Sequence, residues 1–176
     1  FDKNRSIDIT TSVTGTFTTE GWAVYKYTNL QSNGEPGKNT TFPDTDFPMF
    51  RLGDVYLMYA EAVARGGEGG DMGTAVNYIN ALRERAYGDT YHNITESWLL
   101  ENNLQNILDE RCRELYWEGV RRTDLIRFGL YTSPNYLWTF KGGVLNGVGV
   151  DSRYNVFPIP TTDMSVNGNL KQNEGY

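Results

Sequence analysis

The sequence has little of the residues that most often bind transition metals or act as nucleophiles. Among 176 residues, Cys112 is the single cysteine and His92 is the single histidine. One cysteine excludes an internal disulfide. Together the two residues exclude zinc sites built from Cys and His and di-iron sites built from Glu-x-x-His pairs. We therefore predict no metal centre of these kinds, and we predict no cofactor.

Long hydrophobic runs and an excess of basic residues are also absent. No stretch of 18 apolar residues occurs, which excludes a transmembrane helix. The formal net charge of −6 argues against a nucleic-acid partner, because phosphate binding needs a basic face. The chain begins at Phe1, its first methionine is Met49, and no charged-then-apolar leader is present. We expect a mature or truncated piece of a longer protein.

The sequence is rich in aromatic residues and glycine instead. Aromatics make up 14% of the chain, while hydrophobic residues reach 39% and glycines number 19. This composition predicts a modest core, amphipathic aromatics near the surface and long irregular connections.

Two helices in the middle of the chain are predicted from apolar spacing. Residues 51–65 carry an i, i+3, i+4, i+7 stripe, and a Gly-Gly-Glu-Gly-Gly segment ends that helix. Residues 71–87 form the second helix, capped by Asp71 or Thr74. The predicted stripes are Leu52, Val55, Tyr56, Tyr59, Ala62 and Val63, then Ala75, Val76, Ile79, Leu82 and Ala86. Leu-Gly-x-x-Tyr in the first helix and Ala-x-x-x-Ile in the second partly match the tetratricopeptide pattern.

A long helix is predicted over residues 97–118, with Thr95 as its cap. Its apolar face comprises Leu100, Leu104, Ile107, Leu108, Cys112 and Leu115, so Cys112 is predicted to be a small buried residue. Gly119 ends this helix, and Thr123 begins a short one that Gly129 ends. Residues 1–50 indicate short strands or extended loops, and little helix is expected after Gly129.

Three glutamates of the long helix raise the question of catalysis. Glu110, Glu114 and Glu118 repeat every four residues and share one helix side. Paired carboxylates facing an open cleft can hydrolyse glycosides. The alternative is a salt-bridge network with Arg83 and Arg85 of the preceding helix, or with the arginines that lie near the glutamates in the sequence. Arg111 and Arg113 lie between the glutamates, and Arg121 and Arg122 follow them.

Smaller candidates have structural interpretations beside their functional ones. Asp44 and Asp46 can supply oxygen ligands to calcium, but the EF-hand pattern is absent and a solvated turn is the alternative. His92 has no nucleophile or metal motif nearby and is interpreted as a surface histidine.

Aromatic residues in polar loops are the candidates for binding a sugar. Pyranose rings present C–H faces that stack on Trp and Tyr, while their hydroxyls hydrogen-bond to Asn, Asp and Arg. The candidates are Trp22, Tyr91, Tyr136 and Trp138. The alternative is that these rings pack the loops onto the helices.

Five segments in order resemble the C-terminal region of the SusD/RagB family. They are RLGDVYLMYAEAVARGG, AVNYINALRERA, ILDERCRELYWEGVRRTDLIRFG, NVFPIP and NLKQNEGY, covering residues 51–176. Two positions depart from the family pattern: Cys112 stands where a charged or small residue is common, and QNEGY replaces QNPGY.

The resemblance implies a mainly α fold with tetratricopeptide-like hairpins and long irregular loops. It implies a non-enzymatic protein, lipid-anchored on the outer face of the outer membrane in Bacteroidetes-type bacteria. Such a protein binds oligosaccharides or polysaccharides, or in some members peptides, and acts as a lid on a TonB-dependent, SusC-like transporter. It further implies that residues 1–50 are the tail of a preceding region and that residues 51–176 are part of a larger domain. The ligand residues are then expected largely outside this chain.

Two other functions stay open on the sequence alone. A tetratricopeptide scaffold for protein partners predicts at least three regular repeats, of which one clear match is present. A glycoside hydrolase would use the row of glutamates. We also expect the isolated chain to associate, because a helical hairpin without its neighbours exposes an apolar stripe.

Overall fold

The structure is a computed structural model that describes residues 21, 24, 26–31, 33–39, 41–139, 144 and 146–176. In this part of the chain the regular elements are helices: α1 (Leu52–Ala64), α2 (Met72–Tyr87), α3 (Glu96–Leu100), a 3₁₀ helix (Glu101–Leu104), α4 (Gln105–Leu115), α5 (Arg121–Arg127), a second 3₁₀ helix (Ser152–Asn155) and α6 (Thr161–Val166). Strand-like pairing within these residues is limited to two isolated bridges, Leu30 with Pro36 and Trp138 with Val148. The predicted mainly α fold is confirmed, and the described part of residues 1–50 is loop.

The chain divides into two compact units. One unit is Tyr25–Arg121, which we call the helical unit. The other is Phe1–Val24 with Arg122–Tyr176, and we call it the loop-rich unit because loops predominate among its described residues. In the helical unit, α1 packs against α2 and α4, and α3 contacts α2 and α4. None of the helices in the described residues is both long enough and apolar enough to cross a bilayer.

The α1–α2 hairpin forms as predicted, and aromatic rings join its two helices. Asp71 caps α2 by accepting a hydrogen bond from the Thr74 N–H at 2.7 Å. The rings of Tyr56 and Tyr78 stack with centroids 4.2 Å apart, and the Tyr59 hydroxyl accepts from the Asp71 N–H at 2.9 Å. The core beneath them is aliphatic and consists of Leu57, Ala60, Ala75, Ile79, Leu82, Ile94, Leu99, Ile107 and Leu115.

The predicted buried face of α1 is wrong by about one residue. The helix buries Gly53, Leu57, Ala60 and Glu61, whereas Leu52 and Val55 are exposed. Gly53 is buried because the Arg51 guanidinium and the Glu114 carboxylate occupy the space where its side chain would be. The buried face of α1 is therefore turned toward Gly53 and its charged neighbours. The positions of the apolar residues alone do not predict this orientation.

The predicted long helix is interrupted. Asn102, Asn103 and Leu104 have φ angles of 52°, 52° and 63°, so the chain leaves the right-handed helical region between α3 and α4. Asparagine tolerates the left-handed region, but a leucine there is strained. The Asn106 side-chain amide bridges the break by donating to the Trp98 carbonyl at 2.8 Å.

The prediction that Cys112 is buried is wrong, because the thiol-bearing residue is exposed. Helix α4 begins anew at Gln105 and buries Ile107, Leu108 and the charged Arg111. Arg111 is 4% exposed and donates to Asp54 of α1 at 3.0 Å. The buried face of α4 thus contains Arg111 and its salt bridge to Asp54, where the apolar pattern had predicted Cys112.

The loop-rich unit is held by hydrogen bonds more than by regular structure. Gly129, with φ of 69°, follows α5 as predicted. The Gln172 side chain donates to the Ile159 carbonyl at 2.9 Å and accepts from the Ile159 N–H at 2.8 Å. The second 3₁₀ helix and α6 lie in a region where little helix was predicted.

Candidate functional site

The three glutamates of the central stretch are engaged in salt bridges. Glu110 accepts from Arg83 and from Arg113, each at 2.6 Å, and its side chain is 7% exposed. Glu114 accepts from Arg51 at 2.6 Å and from Arg85 at 2.7 Å. The predicted network with the neighbouring arginines of α2 is confirmed, while Arg51 is a partner that sequence reasoning missed.

The pKa of Glu118 shows that its cationic partners stabilise the ionised carboxylate. Burial by itself raises the pKa of Glu118, but hydrogen bonds and charges from Arg51 and Lys26 outweigh burial and lower the pKa below its usual value. The Arg51 guanidinium donates to both oxygens of this carboxylate, at 2.7 and 2.8 Å, and Lys26 forms a further ion pair with it. The hydrogen bonds that Arg51 donates to Glu118 are the largest cause of a raised pKa of Arg51, and they outweigh the opposing effect of burial. A carboxylate kept ionised by two cations does not supply the raised-pKa acid that glycoside hydrolysis requires.

Two of the four aromatic candidates lie together. Tyr136 and Trp138 are half-buried, with ring centroids 5.3 Å apart in an edge-to-face arrangement. The Tyr131 ring also contacts Trp138, with centroids 5.6 Å apart, and the Tyr131 carbonyl accepts from the indole N–H at 3.4 Å. We call Tyr131, Tyr136 and Trp138 the aromatic trio. All three rings are partly buried, as expected for rings that hold a loop in place.

Of the other two aromatic candidates, only Tyr91 lies among the described residues. Tyr91 lies in the helical unit, is 89% exposed and contacts His92 edge-to-face at 5.3 Å. His92 itself stacks on Tyr87 at 4.0 Å and is half-buried, so the expected surface histidine is in fact part of a small aromatic group. Trp22 lies outside the described residues.

The described residues show no group of three or more His, Cys, Asp or Glu side chains that could hold a metal ion. Asp44, one of the two calcium candidates, accepts a hydrogen bond from the Lys38 N–H at 2.9 Å and thereby closes a turn. Its neighbour Asp46 lies in the same exposed loop. This geometry fits the turn that the sequence offered as the alternative.

A polar cleft of about 430 Å³ lies in the loop-rich unit. It is lined by Asp151, Ser152, Arg153, Asn155, Val156, Asn173, Glu174 and Gly175. Sequence reasoning missed this cleft, because its residues come from two segments that are about 20 positions apart. The asparagines of the C-terminal segment were the available signal, and they were interpreted only as loop residues.

The cleft is connected to the aromatic trio by two polar side chains. Asn155 donates from its side-chain amide to the Thr132 hydroxyl at 3.0 Å, directly beside Tyr131. Arg122 donates to the carbonyls of Tyr154 and Asn155 at 2.8 and 3.1 Å, and its guanidinium lies over the Tyr131 ring at 5.1 Å. The aromatic trio and the polar cleft are therefore neighbours within the loop-rich unit. This arrangement suits a ligand that has both C–H faces and hydroxyl groups.

Comparison with known proteins gives a consistent result. A family model described as "SusD family" matches residues 8–176. The chain is 46% identical over 159 residues to the starch-binding protein SusD of Bacteroides thetaiotaomicron, covering 90% of this chain and 26% of the relative. It is 33% identical over 132 residues to the SusD-like protein P25 of Formosa agariphila, covering 73% of this chain and 24% of that one.

Solved structures agree with the sequence relatives. The surface glycan-binding protein A of Bacteroides thetaiotaomicron superposes with a TM-score of 0.58 at 25% identity, over 81% of this chain and 27% of that one. The same protein in complex with laminarihexaose superposes with a TM-score of 0.57 at 26% identity, over 80% and 27% respectively. This chain thus spans about a quarter of the length of the proteins it matches.

Proposed function

The chain belongs to the SusD family, and we propose that it is part of a surface protein that captures glycans, with starch as its first candidate ligand. The observation that carries this proposal is the 46% identity to a starch-binding protein over 159 residues. The laminarihexaose complex at 26% identity makes laminarihexaose the second candidate ligand. Members of this family bind glycans without catalysis, which confirms the expectation of a non-enzymatic protein at the level of the family.

Affinity electrophoresis of the purified protein, expressed with any sequence that flanks this chain in its gene, tests the proposal. Native gels containing soluble starch, laminarin or an unrelated galactan are run with serum albumin as the non-binding control. We expect retardation by starch and none by galactan. Retardation by no polysaccharide contradicts glycan binding, and release of reducing sugar from starch contradicts a non-enzymatic role.

We further propose that this protein is lipid-anchored on the outer face of the outer membrane and delivers glycan to a SusC-like, TonB-dependent transporter. The support is the family assignment together with the surface glycan-binding proteins among its structural neighbours. Protease treatment of intact cells should remove the protein, and a tagged copy should retain the transporter through detergent purification. A tagged protein that purifies without any transporter contradicts the delivery role.

The expected division of the chain is also a proposal. Residues 51–176 would form part of a larger domain, with residues 1–50 as the tail of a preceding region. The support is that the matched relatives are about four times longer than the segment they share with this chain. Limited proteolysis of the purified protein should leave residues 51–176 in one large fragment together with other parts of the protein. Early release of residues 51–176 as a separate fragment would contradict the division.

A further inference from the structure

The chemistry of the polar cleft indicates what kind of molecule it can hold. Its lining presents one guanidinium, from Arg153, and two carboxylates, from Asp151 and Glu174. This balance of charge is unfavourable for phosphate or another anion. A purely apolar ligand would strip water from these groups without replacing its hydrogen bonds. A neutral ligand that carries many hydrogen-bond donors and acceptors suits the lining best.

Several lining groups keep hydrogen-bonding capacity for a ligand. Among the described residues, the Glu174 carboxylate has no hydrogen-bond partner, and the amide oxygens of Asn155 and Asn173 have none either. The Asn155 and Asn173 amide nitrogens donate to Thr132 and to the Phe157 carbonyl, at 3.0 and 2.7 Å. These internal bonds fix both amide groups in place and leave their oxygens free to accept.

Arg153 is positioned before any ligand arrives. Its guanidinium donates to the Gly175 carbonyl at 3.2 Å and to the Tyr154 hydroxyl at 3.0 Å, and it lies over the rings of Tyr154 and Tyr176 at 4.8 and 5.9 Å. The Tyr176 hydroxyl is anchored in turn on the Val156 carbonyl at 3.0 Å. Both tyrosines remain more than 40% exposed beside the cleft. Preorganised groups of this kind lose little entropy on binding.

From this geometry we infer that the cleft between residues 151–156 and 173–175 is a glycan-binding subsite carried by this chain itself. Glu174 and the two asparagines accept hydrogen bonds from sugar hydroxyls, Arg153 donates to ring or hydroxyl oxygens, and Tyr154 and Tyr176 offer ring faces at the rim. The volume of about 430 Å³ is within the range of small-molecule sites and suits a short stretch of an oligosaccharide. The inference rests on the proposed function and locates part of it.

Two variants of the full protein test the subsite by titration calorimetry with a linear oligosaccharide from starch. Glu174→Ala removes a free acceptor and should raise Kd about tenfold, the loss expected for one charge-assisted hydrogen bond. Ser152→Trp fills the cleft and should lower the stoichiometry by one site or raise Kd by more than the first variant. Glu68→Ala, an equal charge change at an exposed loop, and Thr162→Trp, a similar enlargement on α6, should change neither value.

The outcomes separate this inference from the function on which it rests. Wild-type protein that binds no glycan of the starch, laminarin and galactan panel overturns the proposed function and the subsite together. Wild-type binding that both cleft variants retain unchanged overturns the subsite alone. Binding of a peptide, and not of glycan, that Ser152→Trp abolishes also overturns it. If Ser152→Trp does not fold, judged by circular dichroism, Glu174→Ala decides, because that side chain has no partner among the described residues.

Discussion

Two glutamates in the stretch from Asp109 to Gly129 have a structural role, because salt bridges hold both carboxylates. Glu114 and Glu118 have side chains that are 9% and 7% exposed, and each is held by two cations. The cost of burying these charges is offset only while all partners are present. The row of glutamates, which suggests hydrolysis in the sequence, therefore forms salt bridges that join the start of α1, helix α2 and the end of α4.

Replacing Glu114 by glutamine should weaken the fold without weakening ligand binding. The amide keeps the shape of the carboxylate but leaves Arg51 and Arg85 without a full anionic partner, so we expect a loss of about 1–3 kcal/mol. Urea unfolding of the purified protein measures this loss, and glycan affinity is measured on the same preparation. Glu68→Gln, on an exposed loop, is the matched control. A variant of unchanged stability, or one that no longer binds glycan, would contradict a purely structural role for Glu114.

The lowered pKa of Glu118 predicts a specific dependence of stability on pH. Its folded-state pKa lies below the unfolded value of about 4.3, so its contribution is complete above that value and is lost as the pH falls through the folded pKa. The free energy of unfolding, followed from pH 7 to pH 3, should decline less steeply below pH 4.3 in Glu118→Gln than in the wild type. Parallel curves for the two proteins would show that Glu118 is not stabilised by Lys26 and Arg51.

At the scale of elements, the break between α3 and α4 determines how the helical unit packs. Three consecutive residues with positive φ redirect the chain, so α4 meets α1 through Arg111 and Asp54 instead of continuing α3. Leu104 tolerates its strained backbone because its side chain packs against the core. The interruption between α3 and α4 is therefore part of the packed structure and is not a frayed helix end.

Substitutions at Asn103 should reveal this backbone conformation. Alanine disfavours positive φ, so Asn103→Ala should destabilise the protein by about 1 kcal/mol, whereas Asn103→Gly should be nearly neutral. Thermal unfolding of both variants measures the difference. Equal effects of alanine and glycine, or a gain in stability with alanine, would indicate a continuous helix across residues 100–105.

The same elements show what the sequence can and cannot predict here. Helices α1 and α2 were located within one residue at their starts because apolar spacing, the Asp71 cap and the glycine-rich ends all agree. The exposed Cys112 and the rotated face of α1 were missed because charged pairs, Arg111 with Asp54 and Arg51 with Glu114, occupy buried or partly buried positions. The polar cleft was missed because its residues meet only through tertiary hydrogen bonds, which no local pattern records.

At the scale of the whole molecule, large apolar side chains ahead of α1 and at its first residue remain exposed in this chain. They are Phe42, Phe47, Met49, Phe50 and Leu52, each more than 60% exposed. Exposed apolar residues in such density indicate a surface that packs against other protein. We expect the isolated 176-residue chain to associate, which sedimentation velocity at rising concentration would detect as an increasing mean sedimentation coefficient. A stable, compact monomer at all concentrations would contradict this expectation.

Titration of the purified protein with a linear oligosaccharide from starch tests whether this protein binds glycans. The family assignment and the 46% identity to a starch-binding protein predict saturable binding, with weaker binding of laminarihexaose and no release of reducing sugar. Absence of saturable binding to either oligosaccharide, in protein whose circular dichroism shows the expected helices, would contradict the account.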